Sequence, residues 1–267
     1  MELDNKINNF INAGTYEDIC DYSIIPPEGK HFTKDILERD AVIFCKTDFI
    51  DYLFSNLQYS NKNYVVITHH SDYPIDSYRF SIKPKSVKKW FAINTTHNDD
   101  SLVCIPLGLK THKGIYLEER YMTKWLVNEI ENLKNNKKEP IVYCNWTNTN
   151  NYRNSIIDKL IDNNINYKLE SNLTFDVYAK SMSKCKYVIS PPGNGIDCHR
   201  TWEALYMGCI PVVIKNKIYD NWLELPILQV EDYSELTNDI LDEFSNREFN
   251  YEKLYMDYWK KIIKESL

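Results

Sequence analysis

Short apolar runs bounded by turn-forming residues recur along the chain, at 41–45, 64–68, 102–106, 141–144, 187–190, 210–214 and 227–230. Within each run the apolar positions are continuous rather than alternating. That is the pattern of strands covered on both faces, as in a parallel sheet with helices outside it. Between them lie stretches with helical spacing. Residues 119–133 predict a helix carrying Tyr121, Trp125, Ile130 and Leu133, and 177–182 a shorter one, each just before a strand. Residues 251–267 predict an amphipathic helix with Leu254, Tyr255, Tyr258, Trp259 and Ile262 on one stripe. The first forty residues are hard to read, and Pro26-Pro27 predicts only a turn.

Pro106-Leu107-Gly108 ends a strand with a turn, and the polar run 135–140 reads as a loop inside a second unit. The expected fold class is α/β, with two Rossmann-like parallel-sheet domains at 1–113 and 114–250. The helix over 251–267 is expected to return toward the first domain.

Composition narrows the class. A net charge of −6 argues against a dedicated nucleic-acid binder, which needs a concentrated basic surface. The seven cysteines are odd in number and form no CxxC pair, so they read as small buried apolar residues of a reducing compartment. No apolar run is long enough to span a bilayer, and the N-terminal residues lack the order of a signal peptide. A soluble, cytoplasmic protein without a transmembrane segment is expected, and oligomeric state is not readable.

The chemistry concentrates in residues 186–213, which read as strand, Pro/Gly loop, helix, glycine stop and strand. Pro191 and Pro192 end the first strand, and Gly193 and Gly195 let the backbone turn or approach a ligand. The helix is expected to start near Asp197, whose carboxylate can cap the first turn, and to stop at Gly208. A glycine-rich loop leading into a helix N-terminus is an anion site in waiting. Arg200 adds a guanidinium fork suited to phosphate, and Glu203, one turn further in, can accept from ribose hydroxyls. A nucleoside diphosphate fits all three. The plain alternative is that Asp197 only caps, that Arg200 and Glu203 form a surface pair, and that the glycines make a tight connection. Neither the GxGxxG fingerprint nor a P-loop is present.

Asp197-Cys198-His199-Arg200-Thr201-Trp202-Glu203-Ala204-Leu205, with Gly208-Cys209-Ile210-Pro211-Val212 after it, resembles the signature of exostosin-like and related two-domain (GT-B) nucleotide-sugar glycosyltransferases. Weaker echoes lie at 87–94, 104–109 and 145–153. The resemblance implies a GT-B-like fold whose two domains face a cleft, with the donor held by the C-terminal one. It places Glu203 at the ribose, and Arg200, Arg153 and the Asn194–Gly195 backbone at the diphosphate. Ser190, Asp197 and His199 line the same site. The implied activity is transfer of a sugar from a UDP- or GDP-sugar to a glycan or other hydroxyl acceptor, inverting, with no cofactor or metal required. The short first unit, without a stem or anchor, fits a viral or bacterial enzyme better than a Golgi one.

An inverting transfer needs a base near the acceptor hydroxyl. The strand at 64–68 runs into His69-His70-Ser71-Asp72, a cluster beyond a strand's carboxyl end. Asp72 or His70 is the expected base, with His69 or the remaining member orienting substrate; the plain alternative is a local turn in which Asp72 only caps. Lys83, Lys85, Lys88 and Lys89 read either as an attractor for an anionic acceptor or as a solvated helix start. Tyr116, Tyr121, Trp146, Tyr152, Tyr167, Tyr178 and Trp222 are stacking candidates, none assignable singly. Two rival functions remain: a non-catalytic nucleotide- or glycan-binding module of the same architecture, and a metal-dependent phosphohydrolase using His69, His70 and Asp72.

Overall fold

The computed structural model describes residues 6–113, 117–147 and 151–267, with the backbone alone at 151 and 152. In chain order its principal elements are α1 (Ala13–Glu17), β1 (Tyr22–Ile24), β2 (Ala41–Lys46), α2 (Ile50–Leu57), β3 (Tyr64–His69), α3 (Ser77–Ser81), β4 (Val87–Ala92) and β5 (Leu102–Cys104). There follow α4 (Leu117–Lys134), β6 (Glu139–Cys144), α5 (Ile156–Asp162), β7 (Tyr167–Leu169), α6 (Phe175–Met182), β8 (Cys185–Ile189) and α7 (His199–Tyr206). The series closes with β9 (Ile210–Ile214), β10 (Leu228–Val230), α8 (Asn238–Ser245) and α9 (Met256–Glu265).

Contacts divide the chain into two compact units, Met1–Arg120 with Tyr255–Leu267, and Tyr121–Leu254. Each is a mixed α/β body built on a five-stranded, all-parallel sheet, as in Rossmann-like domains. The division falls inside α4 rather than at 113/114, because α4 buries Leu126, Val127, Ile130 and Leu133 from its later turns. Of the expected stripe, Ile130 and Leu133 are buried, whereas Trp125 is half-buried and Tyr121 exposed.

In the first unit the strands lie in simple sequence order, β1-β2-β3-β4-β5. A right-handed crossover repeated in one direction lays every connection on the same face of the sheet. That face is closed by Ile50, Leu53, Phe54 and Leu57 of α2 against Ile43, Val66 and Trp90. The other face has no crossover to cover it. It is closed instead by Ala13 and Tyr16 of α1 and by Met256, Trp259 and Ile263 of α9, packed on Val42, Phe44, Val65, Ile67 and Phe91. The buried stripe of α9 therefore begins at Met256, while Tyr258 and Ile262 are only partly covered.

Three strands escape the sequence pattern. β1 and β7 are three residues each, and β4 contains Lys88 and Lys89, which suggested a helix start. Lys88 is exposed, and Lys89 reaches the Asp100 carbonyl through Nζ (2.5 Å). Lys83 likewise donates to the Val87 carbonyl (2.6 Å).

The second sheet runs β7-β6-β8-β9-β10, so the direction of strand addition reverses between β6 and β8. Ile156 and Leu160 of α5 pack with Val142, Cys144, Tyr187 and Ile189 on one face. The crossover rule puts α6 and α7 on the opposite one, where Ala179, Met182, Trp202 and Leu205 are buried. No described helix is long and apolar enough to cross a membrane. Cys45, Cys104, Cys144, Cys185 and Cys209 are buried.

Gly108 has φ +69, and a β-carbon there would strike the Ile11 carbonyl, whose oxygen accepts from Leu109 N–H (2.7 Å). Gly29 also has positive φ (+77) but opens onto empty space. Gly108→Ala is expected to cost about 3 kcal/mol or more, from left-handed strain plus overpacking. Gly29→Ala is expected to cost about 1 kcal/mol, from strain alone. Urea unfolding of both variants measures the difference.

Candidate functional site

Ligands of open parallel sheets gather beyond the carboxyl ends of the strands where strand order reverses, since the two flanking loops part there to opposite faces. In the second unit those loops follow β6 and β8. The β8 loop carries residues 190–198 into α7, and the β6 loop runs from Asn145 toward α5; residues 148–150 and Tyr116 lie outside the described residues.

Arg153 joins the two loops. Its Nε donates to the Pro192 carbonyl (3.1 Å), Nη1 to Thr147 (2.6 Å), and Nη2 to Pro191 (3.2 Å) and Pro192 (2.9 Å). This corrects its expected role: the guanidinium is spent mainly on backbone carbonyls. A β-carbon at Gly193 would lie 3.4 Å from Nη2, at van der Waals contact. Gly193 has no positive φ, and its N–H donates to the Gly195 carbonyl (3.1 Å). The loop is thus closed on itself rather than presenting that amide.

Arg200, in the first turn of α7, is half-buried, and its Nε is buried with no hydrogen-bond partner among the described residues. Burial works against its charge, but Tyr178, Cys198 and Glu203 outweigh that and hold its pKa above the ordinary arginine value. Burial, and then the nearby charge of Arg200, lower that of Arg153.

Glu203 is buried, and its Oε2 accepts from the Tyr178 hydroxyl (2.7 Å). Burial and the Glu203 charge push the Tyr178 pKa well above its ordinary value, so Tyr178 remains the donor. Sequence reasoning counted Tyr178 only as one aromatic among seven.

Asp197 stands one residue before the N-cap position of the helix. The N-cap is Cys198, without a side-chain cap bond. Asp197 is buried, accepting through Oδ1 from Cys198 N–H (2.8 Å) and through Oδ2 from the Trp202 indole (2.8 Å). Ser190 is also structural, bonded through Oγ to Thr201 Oγ1 (2.9 Å) and Cys198 Sγ (3.0 Å). Asn194 is exposed, Gly195 buried and His199 half-buried. The helix stops as expected, with Gly208 at φ +72.

In the first unit strand order never reverses, so His69-His70-Ser71-Asp72 lies at a strand end without a switch point. His69 is buried. Its Nδ1 accepts from His70 N–H (2.8 Å), so Nε2 carries the proton and donates to the Leu107 carbonyl (3.1 Å). Both ring nitrogens are engaged, which corrects its assignment as a catalytic or metal-binding group. His70 is half-buried with φ +62, and burial lowers its pKa below 6.5, partly offset by Glu28, Glu119 and Glu17. Asp72 is exposed. Among the described residues no three His, Cys, Asp or Glu side chains gather as a metal site requires. Neither models of known protein families nor curated protein sequences match the chain.

Two outcomes follow. Asp197→Ala strands the buried Trp202 N–H and is expected to cost about 1–3 kcal/mol in urea unfolding. For His70, the folded pKa lies below the unfolded one, so the stability it contributes is complete above pH 6.5 and declines as pH falls through the folded value. His70→Asn tolerates the left-handed backbone and removes that titration. Its unfolding midpoint should therefore change less between pH 7 and pH 5 than that of the unsubstituted protein.

Proposed function

We propose that the second unit binds a nucleotide-diphospho-sugar and that the protein is a glycosyltransferase of the GT-B type. The observation that carries this reading is the buried Nε of Arg200, which has no hydrogen-bond partner among the described residues, in the first turn of α7 beside the Glu203–Tyr178 pair. An anionic ligand would give that nitrogen an acceptor, and the N-terminal turn of α7 adds its dipole. In this reading Arg200 contacts the diphosphate, Arg153 holds the loops that shape the site and contributes its charge, and Glu203 accepts from the ribose.

The reaction joins the acceptor oxygen to the anomeric carbon and breaks the bond from that carbon to the diphosphate oxygen. Negative charge grows on the leaving diphosphate, where Arg200 and the helix dipole stabilise it. The acceptor proton passes to a base. Of the candidates in the first unit, His70 and Asp72 keep that role and His69 leaves it. Burial of His70 favours the neutral imidazole, the form that accepts a proton. Inversion, a UDP- or GDP-sugar donor, a glycan or other hydroxyl acceptor and independence of metal belong to the same proposal.

Calorimetric titration with UDP, GDP and their sugars tests it. One series is expected to bind, and Arg200→Ala to weaken it about 10- to 100-fold, the worth of a charge-assisted hydrogen bond. Its melting temperature should change little. Unchanged affinity in that variant, or no binding of either series, overturns the assignment. A donor that binds but is neither transferred nor hydrolysed identifies a binding module instead.

A further inference from the structure

Tyr178 holds a position that packing alone does not demand. Its ring is fixed by neighbours on two elements, Tyr143 of β6 at 6.0 Å between centroids and Phe175, one turn earlier on α6, at 5.9 Å. Phe175 is itself set against Trp125 of α4 at 6.0 Å. These contacts orient the ring, and its hydroxyl then meets the Glu203 carboxylate at 2.7 Å. A phenylalanine would make the same ring contacts. What the hydroxyl adds is one donor aimed at one carboxylate oxygen of α7.

We infer that Tyr178 is a positioning residue for recognition of the sugar hydroxyls of a nucleotide. By anchoring Oε2 it fixes the plane of the Glu203 carboxylate so that the group accepts from the ribose diol in one orientation. This rests on the nucleotide-binding reading above. A carboxylate has about four acceptor sites, and the Tyr178 hydroxyl occupies one. A carboxylate whose orientation is set before the ligand arrives is preorganised for it. The inference differs from a purely structural bond between α6 and α7 in a measurable way. A structural bond changes affinity for every nucleotide alike, while a positioning bond changes the ratio between ligands with and without the diol.

The test is calorimetric titration with UDP and GDP, each against its 2′,3′-dideoxy analogue. For the base that binds, the unsubstituted protein should favour the ribonucleotide by about 10-fold or more, equivalent to one hydrogen bond to a charged group. Tyr178→Phe should reduce that ratio several-fold, chiefly by weakening the ribonucleotide, with the dideoxy analogue nearly unaffected. An unchanged ratio in Tyr178→Phe overturns the inference and leaves the nucleotide reading standing. Equal binding of both ligands by the unsubstituted protein overturns the inference and the ribose role of Glu203, while the diphosphate role of Arg200 survives. Failure of any nucleoside diphosphate to bind overturns the nucleotide reading itself. Should Tyr178→Phe not fold, Tyr178→Met decides: it also removes the donor from Glu203 while leaving that carboxylate in place, and its flexible side chain fills irregular space. A fall in the ratio supports the inference, and an unmoved ratio overturns it.

Discussion

The guanidinium of Arg153 is the constraint on which the second unit's site depends. A strand reversal separates two loops by sending their chains to opposite faces of the sheet, and nothing in the sheet itself keeps those loops in register. Arg153 supplies that link through the carbonyls of Thr147, Pro191 and Pro192. Proline carries no N–H but keeps its carbonyl, so the pair Pro191-Pro192 offers acceptors without competing donors.

The helix behind this loop is anchored from beneath. Ser190 ties the strand end to Thr201 and Cys198, and Asp197 ties the loop to Trp202. Trp202 meets Trp222 edge to face at 5.0 Å. These bonds fix the start of α7, and with it the positions of Arg200 and Glu203.

Much of the fold was legible because long buried strands such as β2, β3 and β9 are continuously apolar and bounded by turns. β4 was not, since Lys88 and Lys89 break the run, and β1 and β7 are too short to carry a period. The site was legible as a region but not in its division of labour. Asp197 before a helix and Arg153 after a strand show which residues stand there. Whether a carboxylate caps or grips the indole five residues on is a matter of side-chain direction, and whether an arginine faces a ligand or a carbonyl is decided partly by Pro191 and Pro192, far away in sequence. Tyr178 is the clearest case. Its hydroxyl matters through Glu203 on another helix, and no local pattern sets it apart from nineteen other tyrosines.

The uniform strand order of the first unit has a consequence for biosynthesis. One side of β1–β5 is covered only in part, by α1, until α9 leaves the ribosome, and the whole second unit is made in the interval. At translation rates of about 5–20 residues per second, that delay is on the order of ten seconds. The later-made body can therefore close before the earlier one, and the nascent chain carries an uncovered apolar surface throughout, a natural target for holding chaperones.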